Sequence, residues 1–246
     1  MLSNFNNNNS NSTPRKGCMD MWNAEFLSNA NYTEGNDIPI CFQCNGNIPV
    51  DLISYDDALA LHKKLIKKDI NYHINKYVHF YIDDQKFDGK EKSIWLHIKE
   101  LIELLRHFDG IISPDFSANA DFPDPVKRNN IYRMRAVDYI CQNNNIPVIH
   151  NVRWGTDETW SYCFDGIPLN GIIAIGTVAS GINKIQNRPY FESGFLKTIE
   201  LLKPHTIIIY GSANYEIFIK AREAGINIVA FPSKTSLAFA KEVPHE

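Results

Sequence analysis

The sequence has few cysteines and no long run of apolar residues. It contains five cysteines, an odd number at uneven spacings: Cys18, Cys41, Cys44, Cys141 and Cys163. This usage argues against a disulfide framework and favours a reducing compartment, so we expect a cytoplasmic protein. No stretch approaches the roughly 18 apolar residues of a membrane helix, and the amino end lacks a basic segment followed by an apolar run. A membrane span and a secretion signal are therefore not expected.

Ligands for a metal are also scarce. Cys41 and Cys44 have the spacing of half a zinc site, but no partner pair follows at a distance that would complete a tetrahedron. The histidines show no metal-ligand spacing. The stretch YGSAN at 210–214 could offer backbone amides to an anion, but it lacks the Walker lysine and the glycine spacing of a dinucleotide fingerprint. No metal is predicted, and no cofactor is indicated.

The chain lacks an excess of positive charge. Its 25 lysines and arginines and 28 acidic residues leave a formal charge of −3, so tight binding to nucleic acid would need a local basic patch. The best candidate is LHKKLIKK at 61–68, which places four lysines on one side of a predicted helix: Lys63, Lys64, Lys67 and Lys68. Such a run more often faces water. Nucleic acid stays open as a partner but is not favoured.

Composition changes along the chain predict three regions. Residues 1–36 include the tract NFNNNNSNSTPRKG, which has too little apolar surface to offset its ordering entropy and predicts a disordered tail. Residues 37–76 predict an amino-terminal extension with one helix at about 55–68. Residues 77–246 have ordinary globular character and predict one α/β core domain.

From residue 77, short β-branched and aromatic runs alternate with helical segments. The predicted strands are 77–83, 110–115, 146–154, 171–178, 205–212 and 226–231. The predicted helices between them are 93–108, 128–144, 191–203 and 215–225. Alternation of this kind predicts a mostly parallel sheet of about six βα units, either open or curled into an incomplete, TIM-like barrel.

Polar residues follow the predicted strands. Because parallel strands joined by right-handed crossovers all point the same way, the loops at their carboxyl ends gather on one face, where ligands bind. The residues just past the strands are Asp83 and Asp84; Ser113, Asp115 and Ser117; Asn151, Arg153 and Trp154; Gly176, Thr177 and Ser180; and Tyr210, Gly211 and Ser212. We expect a polar ligand site there, with Asp115 near an arginine from the neighbouring strand end.

Each of these residues also has a structural interpretation. Asp115 is either a ligand-binding or catalytic acid, or a cap for the turn that begins near Ser117. Arg153 offers a bidentate fork for carboxylate or phosphate, and Trp154 a stacking surface. Alternatively, Arg153 pairs with Asp115 or Asp165 and Trp154 lies in the core.

Three motifs stand out between about residues 77 and 231: GIISPDFS, IPVIHNVRWG followed by CFDGIP, and LKPHTIIIYGS. They resemble motifs of the domain-of-unknown-function 4417 family, met mostly in bacteriophages and other bacterial mobile elements. The family pattern carries over to Ser113, Pro114, Asp115, Phe116, Ser117, Arg133, Asn151, Arg153, Trp154, Gly155, Phe164, Asp165, Gly166, Gly176, Thr177, Tyr210, Gly211 and Ser212. The resemblance implies a phage or mobile-element setting rather than a reaction.

The first functional hypothesis is an enzyme of transglycosylase or hydrolase type acting on a nucleotide-like or sugar-phosphate-like substrate. Its catalytic residues would be Asp115, as general base or nucleophile, and Asp83, as a second acid able to hold a divalent ion. Substrate would be bound by Ser113, Ser117, Arg133, Asn151, Arg153, Trp154, Asp165, Thr177, Tyr210, Gly211 and Ser212. The alternative is a protein that captures a small nucleotide or a host protein without turnover. A DNA-replication accessory protein is a third hypothesis, which needs a positive surface.

Overall fold

The computed structural model describes residues 14, 16–178 and 180–242 of the chain. These residues contain one seven-stranded sheet, in which every strand is parallel to its neighbours and the strand order follows the chain. The strands are β1 Leu52–Ser54, β2 Ile74–His79, β3 Phe108–Ile112, β4 Val148–Asn151, β5 Ile172–Gly176, β6 Thr206–Tyr210 and β7 Asn227–Phe231. The sheet curls into a half-barrel, which confirms the predicted α/β class and incomplete barrel.

Helices follow the strands and cover the outer face of the sheet. They are α1 Tyr55–Leu65, α2 Ile98–Leu105, α3 Asp124–Asn143, α4 Arg188–Leu202, α5 Glu216–Glu223 and α6 Lys234–Glu242. Short 3-10 helices lie at Ala24–Leu27, Asp84–Lys86 and Asp157–Ser161. The helix α2 buries Ile98, Leu101 and Leu105, because its apolar residues recur at helical spacing.

The two faces of the sheet have different cores. Strand side chains alternate between faces, so Ile111, Val148 and Ile207 pack with the helices in the large outer core. The next residues along the strands point inward and form a smaller core: Tyr77, Ile112, Ile149, Ala174 and Ile208. The half-barrel interior is therefore packed with side chains.

The segment before β1 lies against the amino ends of the central strands. The Cys41 N–H donates to the Gly166 carbonyl at 2.9 Å, and the Gln43 side chain donates to the Leu169 carbonyl. Gly46 approaches Tyr77 and Pro147 so closely that a Cβ there would overlap the tyrosine hydroxyl.

The sheet has seven strands rather than the expected six, because β1 lies inside the predicted amino-terminal extension. This strand has only three residues, too few to show an alternating pattern, and it is identified by its pairing with β2. The strand β2 begins at Ile74 and ends at His79, earlier than the predicted 77–83. The final helix, α6, was not predicted.

Part of the predicted tail is folded. Residues Ala24–Leu27 form a 3-10 helix, and Leu27 is buried in the outer core. Asn36 donates hydrogen bonds to the Ser161 carbonyl and to Asp165. Most of the asparagine-rich tract, residues 1–13, lies outside the described residues, as does residue 15.

Within the described part of the chain, none of the helices combines the length and the apolar character needed to cross a lipid bilayer.

Candidate functional site

A cavity of about 400 Å³ opens at the carboxyl ends of β4 and β5. Its walls come from the loops after β3, β4 and β5 and from the first turn of α4. We call it the rim pocket, and it is lined by Asp115, Asn119, Ala120, Asn151, Val152, Arg153, Trp154, Gly155, Thr156, Ile175, Gly176, Ser180, Asn187, Tyr190 and Phe191. Three consecutive strand ends therefore contribute to one cavity, as expected for a parallel sheet.

A chain of hydrogen bonds crosses the rim pocket. Arg153 Nη1 donates to Asp115 Oδ2 at 3.1 Å, and both side chains are largely buried, with 18% and 14% exposed. Asn151 Nδ2 donates to the other carboxylate oxygen at 2.8 Å. Tyr81 in turn donates its hydroxyl hydrogen to Asn151 Oδ1 at 2.9 Å. The structure thus brings together the acid and the arginine that the strand ends predicted.

Tyr81 reaches across the inner face of the sheet. Its ring stacks on Tyr210, with centroids 5.0 Å apart, and lies over Gly176, where a Cβ would come within 2.8 Å of the ring. Burial and the charge of Asp115 raise the pKa of Tyr81 well above its ordinary value, so it remains a hydrogen-bond donor. Gly176 is therefore required for the tyrosine to reach Asn151.

His79 lies beside these tyrosines on the same face. Its ring centroid is 4.3 Å from that of Tyr210, and its Nδ1 accepts the Tyr81 N–H at 3.2 Å. Burial and the nearby charge of Lys234 lower the pKa of His79 to about 4. A neutral imidazole suits this hydrogen bond, because Nδ1 must present a lone pair.

Trp154 forms one wall of the rim pocket. Its ring packs against Phe191 of α4 at 5.3 Å and lies directly on Gly194, where a Cβ would overlap the indole. The indole is half-buried rather than part of the deep core. The glycine in α4 thus allows the tryptophan to sit between the strand end and the helix.

The opposite wall carries polar groups. Arg153 Nη2 donates to Asn119 Oδ1 at 2.9 Å, and the guanidinium has further N–H donors that these contacts leave unused. Asn187 precedes the first residue of α4, so the positive end of the helix dipole faces the cavity. Thr156 Oγ1 is buried and has no hydrogen-bond partner among the described residues.

A second polar group, on the helix side of the sheet, joins α3 to β3 and β4. Asp138 Oδ2 accepts from Arg135 Nη1 at 2.7 Å and from Ser113 Oγ at 2.8 Å, and it lies 3.0 Å from His150 Nδ1. None of these four side chains is more than 2% exposed. We call them the buried network.

Cys41, Asp138 and His150 place possible metal-ligand atoms within 4.8 Å of one another. However, Arg135 Nη1 lies 2.7 Å from the carboxylate and 3.4 Å from His150 Nδ1. The guanidinium therefore occupies the position where a cation would balance the charge of Asp138, and the site does not suit a metal ion.

Some predicted site residues lie outside the rim pocket. Ser113 belongs to the buried network. Arg133 pairs with Asp88 and stacks on Phe116 at 3.9 Å. Asp165 accepts from Asn36 at 2.8 Å and from Thr33.

Others form turns near the rim. Asp83 uses its carbonyl to accept the Lys86 N–H, whereas the Ser117 N–H donates to Asp84 Oδ2 at 3.4 Å. Burial raises the pKa of Asp84, hydrogen bonding with Ser117 opposes this shift, and the negative charge of Asp115 adds to it. The Thr177 hydroxyl donates to the Ser212 carbonyl, Gly211 has φ +115°, and Tyr210 stacks on Tyr81.

Sequence reasoning missed several residues of the site. Asn119, Asn187 and Tyr190 line the rim pocket, and each lies more than three residues beyond its strand end. Following each loop through the first turn of the next helix would have included them. Tyr81 was assigned to a strand, so its reach across the sheet to Asn151 was not evident.

The lysines Lys63, Lys64, Lys67 and Lys68 are all exposed. The helix α1 ends at Leu65, so Lys67 and Lys68 lie in the turn that follows it.

Comparison with known proteins gives a family and phage relatives. A family model described as "Domain of unknown function (DUF4417)" matches residues 31–232. The "Gene 1 protein" of Mycobacterium phage L5 and that of Mycobacterium phage D29 are each 28% identical over 138 residues, 56% of this chain. The match covers 58% of the L5 protein and 49% of the D29 protein, so the chain spans about half the length of these relatives.

No solved structure matches significantly. The family match covers most of the chain and includes every residue of the rim pocket, which confirms the resemblance seen in the strand-end motifs. The chain belongs to the family of the domain of unknown function DUF4417.

Proposed function

We propose that the rim pocket binds a small nucleotide-like or sugar-phosphate-like ligand. One observation carries this proposal: a single cavity of about 400 Å³ combines a partly buried arginine, the amino end of a helix and aromatic side chains. Pockets for small ligands have volumes of roughly 300–1,000 Å³ and combine apolar walls with a few converging polar groups. The rim pocket fits this description.

An anionic group would bind between Arg153 and the first turn of α4. The guanidinium attracts a phosphate oxygen, and the helix amino end favours negative charge. Asp115 neutralises part of this positive charge, since it is bonded to Arg153. The balance suits one phosphate group better than a polyphosphate.

A ring would bind along the aromatic side of the pocket. Trp154 and Tyr190 both line the cavity, and Tyr190 is 67% exposed at its mouth. Aromatic surfaces of this kind stack with bases and pack on sugar rings. The amides of Asn119 and Asn187 supply hydrogen-bond partners for ligand hydroxyl groups.

Turnover would depend on Asp115. Both of its oxygens already accept one hydrogen bond, but a carboxylate has lone pairs left for a substrate hydroxyl or a water molecule. In an enzyme of hydrolase or transglycosylase type it would act as general base or nucleophile, while Arg153 balances developing negative charge. The same contacts favour the alternative, a binding protein without turnover, because they hold Asp115 in place as a recognition group.

We also propose that the protein works in a reducing compartment such as the cytoplasm. Cys41, Cys141 and Cys163 are buried free thiols. They are packed in the outer core and are not positioned as a disulfide framework.

Thermal unfolding with adenosine monophosphate, ribose 5-phosphate and inorganic phosphate tests ligand binding. A ligand at about 100 times its Kd should add about 2.7 kcal/mol to the free energy of unfolding and raise Tm. Arg153→Met should abolish the increase. Arg106→Met is the matched control, because that arginine pairs with Glu103 on the exposed surface of the molecule. Equal increases in both variants, or none in the natural protein, would contradict the proposal.

Asp115→Asn separates the enzyme from the binding protein. An enzyme should lose product formation from the phosphate ester, measured by chromatography, while the variant still binds the ligand. A binding protein should form no product in either form and change only in affinity. Asp121→Asn is the control, since it removes the same charge from an exposed position in the same loop.

A further inference from the structure

The last residue of β4, Asn151, pairs with Ala174 of β5 on one side. On its β3 side, its main chain is held by side chains instead of by the neighbouring strand. The pairing of β3 with β4 ends at Ile112 and Ile149, because Pro114 follows. Beyond that point the Asn151 N–H donates to Ser113 Oγ at 2.8 Å. Its carbonyl accepts from Arg135 Nη2 at 2.5 Å. Both main-chain groups of Asn151 therefore bond to the buried network.

Asp138 orients the two side chains that make these bonds. Its Oδ2 accepts from Ser113 Oγ and from Arg135 Nη1, so the hydroxyl must turn its lone pairs toward the Asn151 N–H. A serine has a single hydroxyl hydrogen, and a strong acceptor determines where it points. The carboxylate thus orients the Ser113 hydroxyl so that its oxygen accepts the Asn151 N–H.

The Asn151 side chain points to the other face of the sheet and bonds Tyr81 and Asp115. Asn151 is consequently the covalent connection between the buried network and the rim pocket. A rotation of its main chain would move the amide away from Asp115, because the side chain follows the Cα–Cβ direction.

We infer that Ser113 and Asp138 are positioning residues for the rim pocket, which act through Asn151 on Asp115. The expected effect on ligand binding rests on the function proposed above. The positioning of Asn151 by Ser113 and Asp138 does not. A strand end that lacks pairing on one side needs only a hydrogen-bond partner for its main chain there, and water or a loop can supply one. Here the partners belong to a buried charged cluster. Burying its charges costs desolvation free energy, and their mutual hydrogen bonds hold the side chains in one geometry.

Ser113→Ala tests the inference by removing the acceptor of the Asn151 N–H. The control is Thr206→Val, which removes another buried hydroxyl, at the start of β6. Both variants are compared with the natural protein by ¹⁵N NMR of the Asn151 side-chain amide, assigned with Asn151→Asp. We expect Ser113→Ala to shift this resonance and to speed its hydrogen exchange at least about tenfold. A change of this size corresponds to the loss of one buried hydrogen bond. Thr206→Val should leave it unchanged.

An unchanged Asn151 amide in Ser113→Ala would overturn the inference, whatever the protein binds. Ser113→Cys keeps the shape of the side chain with a somewhat larger and weaker hydrogen-bonding group, so it serves the same measurement if the alanine variant does not fold.

Binding of adenosine monophosphate and ribose 5-phosphate is measured on the same samples by calorimetry. We expect Ser113→Ala to weaken binding about tenfold and Thr206→Val to leave it unchanged. If the natural protein binds neither probe while the amide responds to Ser113→Ala, the proposed ligand class fails and the positioning role stands. If the probes bind equally well to all forms, the buried network does not act on the pocket and the inference is wrong.

Discussion

Asp138 is the residue on which the buried network depends. It accepts hydrogen bonds from Ser113 and Arg135 and is completely buried, so its charge is balanced only by its direct partners. Removing one member of a buried ion pair leaves the other charge without compensation. A single side chain on α3 therefore affects the stability of two strand ends.

We predict that Asp138→Ala lowers the free energy of unfolding by about 3–5 kcal/mol, since Arg135 remains buried without its carboxylate. Urea denaturation measures the change. Replacing both residues, as in Asp138→Leu with Arg135→Met, should cost less than the single change. Asp57→Ala is the control, because it breaks an exposed pair with Lys234, which is worth at most about 1 kcal/mol. Similar losses for Asp57→Ala and Asp138→Ala would show that the buried pair stabilises the protein no more than the exposed pair does.

At the scale of elements, α4 is shaped by its contact with the end of β4. It carries Gly194 in its interior, although glycine is unfavourable in a helix by about 0.5–1 kcal/mol relative to alanine. The Trp154 indole fills the space that a side chain would take, and Phe191 packs on the same ring. Gly194 lowers the helix propensity of α4, but its missing side chain leaves the space in which Trp154 forms a wall of the rim pocket.

We predict that Gly194→Ala destabilises the protein by about 1–3 kcal/mol, because overpacking against Trp154 outweighs the gain in helix propensity. Ser193→Ala, at an exposed neighbouring position, should change stability by less than about 0.5 kcal/mol. Both are measured by urea unfolding. In a Trp154→Leu background, Gly194→Ala should become neutral or stabilising, and a loss that persists there would rule out the indole as its cause.

At the scale of the whole molecule, ion pairs connect the two edges of the half-barrel. Lys234 of α6 pairs with Asp57 of α1 and lies 3.7 Å from Asp56, so the helices that follow the last and first strands meet. Although burial raises the pKa of Asp56, hydrogen bonds from Lys86 and Ser54 and the charge of Lys234 lower it to about 2. His79 lies near these charged groups, on the inner face of the sheet, and is 3% exposed.

These groups predict how stability depends on pH. The pKa of His79 is about 4 in the folded protein, below its ordinary value of 6.5, so the unfolded chain binds the proton more tightly. Stability should be fully present above 6.5 and fall by about 3 kcal/mol as the pH drops from 6.5 to 4. Below that, protonation of Asp56 removes its contribution as the pH approaches 2.

Urea unfolding at a series of pH values measures this profile. His79→Phe should flatten it between 6.5 and 4, whereas His73→Phe, which alters an exposed histidine, should not. A profile unchanged by His79→Phe would show that another group causes the loss.

Much of the architecture could be read from local pattern. The runs TIIIY and IIAIG are apolar and β-branched, and the α2 segment has strong helical periodicity, so these elements and their alternation were predictable. The three-residue β1 was not predicted, because so short a strand is recognised only by its pairing with β2. Local sequence carries no information about that pairing. The same holds for Leu27, whose burial depends on the core it meets.

For the candidate site, the sequence by itself determined which residues follow the strands, and parallel topology then implied that Asp115 and Arg153 meet. Only the tertiary structure decided which face each side chain takes. Ser113 directly follows β3 and points to the helices, whereas Asn151 ends β4 and points to the barrel interior. Side chains alternate with every residue, so the exact end of a strand decides the face, and that end is set by pairing between distant segments.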